Sequence, residues 1–185
     1  MSILTQPLTY KDLEQFPDDG KRYEIIDGEL YVAAAPAKSH QRLSRRLLRA
    51  IDGAAEASGS GEVFYAPVDV RFSETSQVQP DILFIRREQS AIYRGNTVYG
   101  PPDLVVEILS PSNRAYDVSV KTPLYQRSGV QELLIADPDT PALRLFALRE
   151  GRYVEVEPDA DGRLHSHVVP GLVLDPSTLL ADLHL

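Results

Sequence analysis

Two acidic residues stand where a carboxylate is costly. Glu107 lies inside Leu104-Val105-Val106-Glu107-Ile108-Leu109, an apolar run rich in β-branched residues. Pro101-Pro102 opens the run and Ser110-Pro111-Ser112-Asn113 closes it. The pattern reads as a short, fully buried strand. An acid within such a strand needs a charge or hydrogen-bond partner. Asp81 follows Pro80 and opens a second run of similar make-up, Ile82-Leu83-Phe84-Ile85. Two core strands that each carry one acid suit a divalent metal, because a hard cation such as Mg²⁺ takes oxygen ligands, often one or two carboxylates plus water. The competing reading puts both acids at strand ends, solvated or paired with arginines.

Other residues bear on the same chemistry. Asp117 and Lys121 are spaced i, i+4. On an unbroken helix they share a face, as a surface ion pair worth about a few tenths of a kcal/mol. Alternatively Lys121 leans over the metal site and polarises the attacking water or the phosphate. Glu24, in a strand beside a hairpin, is either exposed or a third acid for the site. Arg42, Arg45, Arg46 and Arg49 form a helix face that is either solvated or set against phosphates. His40, near the start of that helix, is expected at the surface. His165 and His167 alternate along a strand with no third ligand in sight. Tyr23, Tyr31, Tyr65, Tyr93, Tyr99 and Tyr125 are expected as core or groove lining. The sequence has no glycine-rich phosphate loop, no Gly-x-Ser-x-Gly elbow and no dinucleotide fingerprint.

The elements that must position these residues follow from periodicity and turn chemistry. Residues 8–16 predict a short helix with Thr9 as N-cap, followed by a turn at Pro17-Asp18-Asp19-Gly20. Strands over 21–26 and 29–34 flank Asp27-Gly28, a strong two-residue hairpin signal. In the first of them Glu24 shares a face with Arg22 and Ile26, and Tyr23 and Ile25 face the other way. After Pro36, Leu43, Leu47, Ile51, Ala54 and Ala55 recur at helical spacing and predict a helix over 37–57, ended by Gly59-Ser60-Gly61. Strands follow at 62–66, 68–72, 81–85 and 103–109, with a polar loop at 73–77. Residues 86–100 read as irregular, with one turn of helix. A helix over 115–128 meets an obstacle at Pro123, which lacks an N–H and disfavours helical geometry at Thr122. Either the helix kinks there, or a new one starts with Thr122 as cap and Pro123 at its first position. A strand at 130–136 precedes a three-stranded meander at 142–148, 153–157 and 164–168, and a closing helix covers 176–183. The order predicts a mixed α/β architecture in one domain, 1–185, with a mixed sheet flanked by helices.

The 185 residues are long enough to bury a real core. There is no cysteine, which removes disulfides, thiolate metal sites and cysteine nucleophiles, and fits a cytoplasmic location. The N-terminus lacks the pattern of a signal peptide, and no apolar run approaches the roughly 20 residues of a membrane span. The net charge of −8 speaks against non-specific nucleic-acid binding through a basic surface. It leaves room for a nucleic-acid enzyme whose cleft is served by a metal and a few arginines.

The motifs occur in a telling order: Tyr23-Glu24-Ile25-Ile26-Asp27-Gly28-Glu29-Leu30, then Gln79-Pro80-Asp81, then Pro102 to Ser112, then Asp117 with Lys121 and Tyr125, then Gly129-Val130-Gln131-Glu132 and Asp137-Pro138. This series resembles the Uma-type putative restriction endonuclease family of the PD-(D/E)XK nuclease superfamily. The likeness spans about residues 8–180; each motif is short, and their joint order is specific. It implies a restriction-endonuclease-like core, a central mixed β-sheet flanked by helices, here with a C-terminal β-meander. It implies that Pro80-Asp81 is the "PD" element and Glu107 the second acid, and it raises Glu24 to a site residue. The superfamily places a lysine two residues after the second acid. Here that position is Leu109, which cannot polarise water, so Lys121 on the following helix is the expected replacement. The implied activity is Mg²⁺- (or Mn²⁺-) dependent hydrolysis of phosphodiester bonds in DNA, and a homodimer is expected because two strands are most simply cut by two sites. Asp81, Glu107 and Glu24 would then be metal ligands, and Lys121 would hold the nucleophile. The alternative on the same fold is a weak or inactive nucleic-acid-binding or regulatory protein.

Overall fold

The computed structural model describes residues 6–17, 19–33, 37–111 and 114–183. Asp18 of the first turn, Ala34, Pro36, and Ser112-Asn113 lie outside them. The elements run α1 (Tyr10–Leu13), β1 (Arg22–Ile26), β2 (Glu29–Ala33), α2 (Lys38–Ser58), β3 (Gly61–Tyr65), β4 (Asp69–Ser73), β5 (Ser76–Val78) and β6 (Ile82–Arg86). Next come β7 (Tyr93–Arg94), β8 (Thr97–Tyr99), β9 (Leu104–Ile108), α3 (Arg114–Tyr116), α4 (Thr122–Ser128), β10 (Glu132–Asp137), β11 (Ala142–Arg149) and β12 (Arg152–Glu155). Finally β13 (Leu164–His165) and β14 (Val173–Leu174) precede α5 (Pro176–Leu179). No helix among the described residues is long and apolar enough to cross a membrane.

Two mixed six-stranded sheets carry the fold. The first has the order β12-β11-β10-β9-β6-β3, with β9 and β10 parallel and the other pairs antiparallel. Every residue of β9 is buried, as its apolar run predicts. Alternation divides its side chains between two cores. Leu104, Val106 and Ile108 pack with Leu43, Leu47 and Ile51 of α2. Val105, together with Leu109 just beyond the strand, packs with Leu124 and Tyr125 of α4 and with Ile26, Val70 and Val78 of the second sheet. Glu107, between Val105 and Leu109 in this alternation, belongs to that second face.

The second sheet has the order β2-β1-β5-β4-β8-β7, antiparallel except for β4 with β8. The mixed sheet expected from the sequence is thus flanked by helices, with α2 and α5 on one face. A second sheet and the 114–128 segment cover the other. The polar loop expected at 73–77 was hiding a strand. β5 has three residues and no alternating pattern, yet its polar groups are satisfied. Ser76 Oγ accepts from Asp27 N at 3.0 Å, and Gln77 Oε1 accepts from Arg71 Nε at 2.8 Å. The irregular 86–100 stretch holds a 3₁₀ turn at Arg87–Ile92 and the β7–β8 hairpin.

The C-terminal meander is shorter than expected. β11 and β12 pair across Glu150-Gly151, but Leu164 and His165 pair with β14 instead of extending that sheet. The tail is turned away at β10, where the buried Glu132 accepts from Ser166 Oγ at 2.6 Å and His167 N at 2.7 Å. The terminal helix is one turn, capped by Asp175, which accepts from Ser177 N. The first helix is also reduced to one turn. By contrast the Asp27-Gly28 hairpin turns as its chemistry requires, with φ of 52° and 83°.

At Pro123 a new helix begins, as one of the two alternatives has it, but Thr122 is its first residue and Lys121 its cap. Thr122 is fully helical, with φ −57° and ψ −48°, and the turn before it, Asp117–Lys121, is a π-helix. The Thr122 N–H bonds the Asp117 carbonyl, and Thr122 Oγ1 donates to the same oxygen at 3.1 Å. Pro123 therefore falls in the first turn of α4, where a missing N–H is tolerated.

Candidate active site

Strand register brings the two acids together. Ile82 of β6 lies opposite Val106 of β9. One step further sets Asp81 opposite Glu107. Asp81 Oδ2 accepts from Ile108 N at 2.9 Å, which locks this end of the pairing. Asp81 Oδ1 accepts from Arg22 Nη1 at 2.9 Å, and Oδ2 lies 3.1 Å from His40 Nε2. Burial pushes the Asp81 carboxyl up, but the His40 hydrogen bond and charge and the Arg22 guanidinium outweigh it and hold it at about 2. Asp81 is thus an ionised carboxylate that only accepts.

The second half of the site centres on Lys121. Its side chain is sealed, with Nζ 3.0 Å from Glu24 Oε1, 3.1 Å from Glu107 Oε1 and 3.7 Å from Asp117 Oδ1. Glu24 also accepts from Gln79 N at 2.6 Å and Tyr116 Oη at 2.9 Å. Glu107 accepts a short hydrogen bond from Tyr125 Oη. Three buried carboxylates therefore share one ammonium. Burial and the neighbouring acids push the Glu107 carboxyl well up, against the pull of Lys121. The same causes raise Asp117 to about 6. Burial alone would lower the Lys121 ammonium, but Glu107, Glu24 and Asp117 raise it above its ordinary value.

Glu24, Asp81, Glu107 and Lys121, singled out in the sequence, therefore meet in one buried cluster. The reading of Lys121 as a surface ion pair is overturned, and so is the surface position expected for His40, which is 7% exposed. Arg22, Asp117, Tyr116 and Tyr125 are further members. Leu109 is packed in the apolar core, so a lysine there would not have been cheap to place. Two of the α2 arginines are spoken for: Arg42 donates to the Leu183 carbonyl at 3.0 Å, and Arg46 to the carbonyls of Leu179 and Ala181. Arg45 and Arg49 are exposed. His165 pairs with Asp159 at the surface. A cleft of about 390 Å³ opens beside Asp81, between α2 and the end of β3.

Among the described residues, no three histidine, aspartate or glutamate side chains stand arranged to hold a metal ion. Lys121 bridges Glu24 and Glu107, and Arg22 and His40 engage Asp81. The donor set nevertheless fits a hard cation in kind. Mg²⁺ commonly keeps several waters and needs only one or two carboxylates, and Asp81 and Glu107 are neighbours in a cluster where acids outnumber cations.

Residues 9–177 match the family model described as "Uma2: Putative restriction endonuclease". Among solved structures the chain is similar to a "putative nuclease belonging to DUF820" from Anabaena variabilis ATCC 29413. The TM-score is 0.79 at 21% identity, covering 96% of this chain and 99% of that one. At that identity the likeness shows a shared fold. It also aligns 69% of its length with 14% of the type IIG restriction endonuclease BpuSI, at 12% identity and a TM-score of 0.39, too low to carry an argument. No curated protein matches it.

Proposed function

The chain belongs to the Uma2 putative restriction endonuclease family, and from that premise we propose that it is a metal-dependent nuclease that hydrolyses phosphodiester bonds in DNA. The observation that carries the reading is the Lys121 ammonium, 3.0 Å from Glu24 and 3.1 Å from Glu107, with Glu107 set opposite Asp81. Asp81 and Glu107 would hold Mg²⁺ or Mn²⁺, with the Ile108 carbonyl as a further donor and Glu24 acting directly or through water. When bound, the ion lowers the pKa of a water and screens the phosphate charge.

The remaining roles belong to the chain. Arg22 and His40 keep Asp81 ionised and fixed. Lys121 is held as a cation by its three acids, so it acts as a donor that orients the nucleophile and stabilises developing negative charge, not as a general base. Tyr125 and Tyr116 fix the Glu107 and Glu24 carboxylates by hydrogen bonds. Burial of the cluster strengthens each of these interactions. The working unit proposed is a single domain, 1–185, assembled as a cytoplasmic homodimer, because two strands are most simply cut by two sites.

The test is cleavage of supercoiled plasmid by the purified chain in Mg²⁺ or Mn²⁺ and in EDTA. Cleavage should need the metal and should vanish in Asp81→Ala and in Glu107→Ala, with circular dichroism showing both variants folded. Full activity in either variant removes the site assignment. A second reading, a nucleic-acid-binding or regulatory protein without catalysis, has one observation in its favour: Lys121 is clamped between the acids a metal would need. It is supported by a gel shift of DNA with no cleavage under any metal.

A further inference from the structure

We propose that the cleft beside Asp81 seats a nucleic-acid strand by its phosphodiester backbone, gripped by Arg22, His40 and Arg45. The inference rests on the nuclease reading above and adds the residues that take the strand and the side from which it enters.

The cleft differs from the rest of this acidic molecule. On a chain of net charge −8, its wall holds two arginines and a histidine against one acid, Asp81. Gln41, Ser44, Arg45 and Leu48 recur at i, i+3, i+4 and i+7 and form the α2 side of the wall. The neighbouring arginines cannot substitute: Arg42 and Arg46 hold the C-terminal tail by its carbonyls. Among the described residues Arg45 has no such duty, and it is exposed. Tyr65, 62% exposed at the rim, offers a ring face on which a base can stack.

His40 supplies the independent observation. Its ring is more than nine-tenths buried, and the Asp81 carboxylate takes Nε2. The other nitrogen, Nδ1, is buried with no hydrogen-bond partner among the described residues. Such an atom needs a partner, and His40 lines the cleft. A phosphodiester strand supplies oxygens for the two guanidinium groups, and water carried with it can satisfy Nδ1. Glu24, Glu107 and Lys121 do not line the cleft. The strand therefore approaches from the α2 side and meets Asp81 first, with Lys121 behind it.

The test uses the full chain in EDTA, so that nothing is cut. Anisotropy of a fluorescein-labelled DNA duplex reads binding, and ¹⁵N NMR of the histidine rings reads the response to dimethyl phosphate. Arg45→Ala should weaken duplex binding about tenfold at low salt and lower the slope of log K against log salt by about one. Arg49→Ala removes the same charge from the same helix outside the cleft and should change binding less than twofold. The Nδ1 resonance of His40, assigned with His40→Gln, should shift saturably with dimethyl phosphate in the parent and not in Arg45→Ala. Equal losses in Arg45→Ala and Arg49→Ala, an unmoved Nδ1, or no duplex binding at all would overturn the proposal. If these effects are found but the parent never cleaves in metal, the strand seat stands and the nuclease reading falls. If the parent cleaves and Arg45→Ala binds and cleaves equally well, the seat falls and the nuclease reading stands.

Discussion

Replacing Lys121 with methionine isolates what its ammonium contributes. The unbranched stem and its packing are retained, so the change is mainly electrostatic. In the protein Nζ lies within 3.1 Å of both Glu24 and Glu107 and 3.7 Å from Asp117, and the residue is 3% exposed. Without it three buried carboxylates lose their shared cation. Removing one partner of a buried ion pair destabilises by about 3–5 kcal/mol. That is roughly two to three and a half powers of ten in the folding equilibrium, a large part of the about 5–15 kcal/mol that holds a domain together. Had Lys121 been the exposed i, i+4 partner of Asp117, the loss would be about 0.3–0.5 kcal/mol. Urea denaturation at pH 7 separates the two by an order of magnitude. The pH dependence has a definite sign. Acids already raised by burial rise further when the ammonium goes, so between the unfolded carboxylate value near 4 and the raised folded values the native state binds more protons than the unfolded chain. Stability of Lys121→Met should therefore fall as pH rises through that window and recover towards the parent at pH 5. A variant as stable as the parent at pH 7, or a deficit indifferent to pH, would refute the electrostatic account of the cluster.

Three further outcomes are expected. Tyr125→Phe keeps the packed ring but removes the hydroxyl on Glu107, and should lower stability by about 1.5–3 kcal/mol in the same urea assay. Asp137, at the end of β10, is raised by burial but held well below the usual carboxylate range by Arg114 and Thr140. Its contribution is present above the unfolded value near 3.9 and lost as pH falls below it, so thermal midpoints between pH 4 and 2 should drop more steeply in the parent than in Asp137→Asn. Gly61→Ala would set a Cβ 2.2 Å from the Ile85 carbonyl oxygen and 2.7 Å from the Phe84 ring. Neither can retreat without parting β3 from β6, so a loss of about 1–3 kcal/mol or more is expected, read as a lower thermal midpoint.

The parts of the site that were legible in the sequence are those where local pattern and long-range position coincide. Glu107 was conspicuous because an acid in an apolar run contradicts its surroundings. The faces of β1 followed from alternation, and Arg22, Glu24 and Ile26 do point to the same side, Arg22 to Asp81 and Ile26 into the core. For His40, expected at the surface, the sequence does hold a signal that points inward. Positions 40, 43, 47 and 51 form one stripe, so the histidine shares the buried face of Leu43, Leu47 and Ile51. The second sheet was not legible as a sheet. β5 is three residues of mostly polar character, and β7 and β8 are two and three residues long. Such strands exist because partners distant in sequence satisfy them, which no local window records. Asp117 was visible only as a spacing, since its role depends on Glu24 and Glu107 arriving from two different sheets.

The widened turn at Asp117–Lys121 makes chain length part of the site's specification. On an ideal α-helix, residues five apart point about 140° away from each other. Tyr116 and Lys121 are five apart, yet Tyr116 Oη and Lys121 Nζ both reach Glu24, and the ammonium lies 5.3 Å from the tyrosine ring. The i→i+5 turn is what brings them into phase. If the turn relaxed to regular α-helix with all its residues kept, Tyr116 and Lys121 would part by about 140° and one of the two would swing away from Glu24; a chain one residue shorter between them would hold them in phase at i, i+4 without a widened turn. A homologue with a single gap between these two positions can keep the pair on one face with regular helix, whereas one of equal length needs the widened turn. Spacing from Tyr116 to Lys121 and the form of the turn between them together decide whether both side chains reach Glu24.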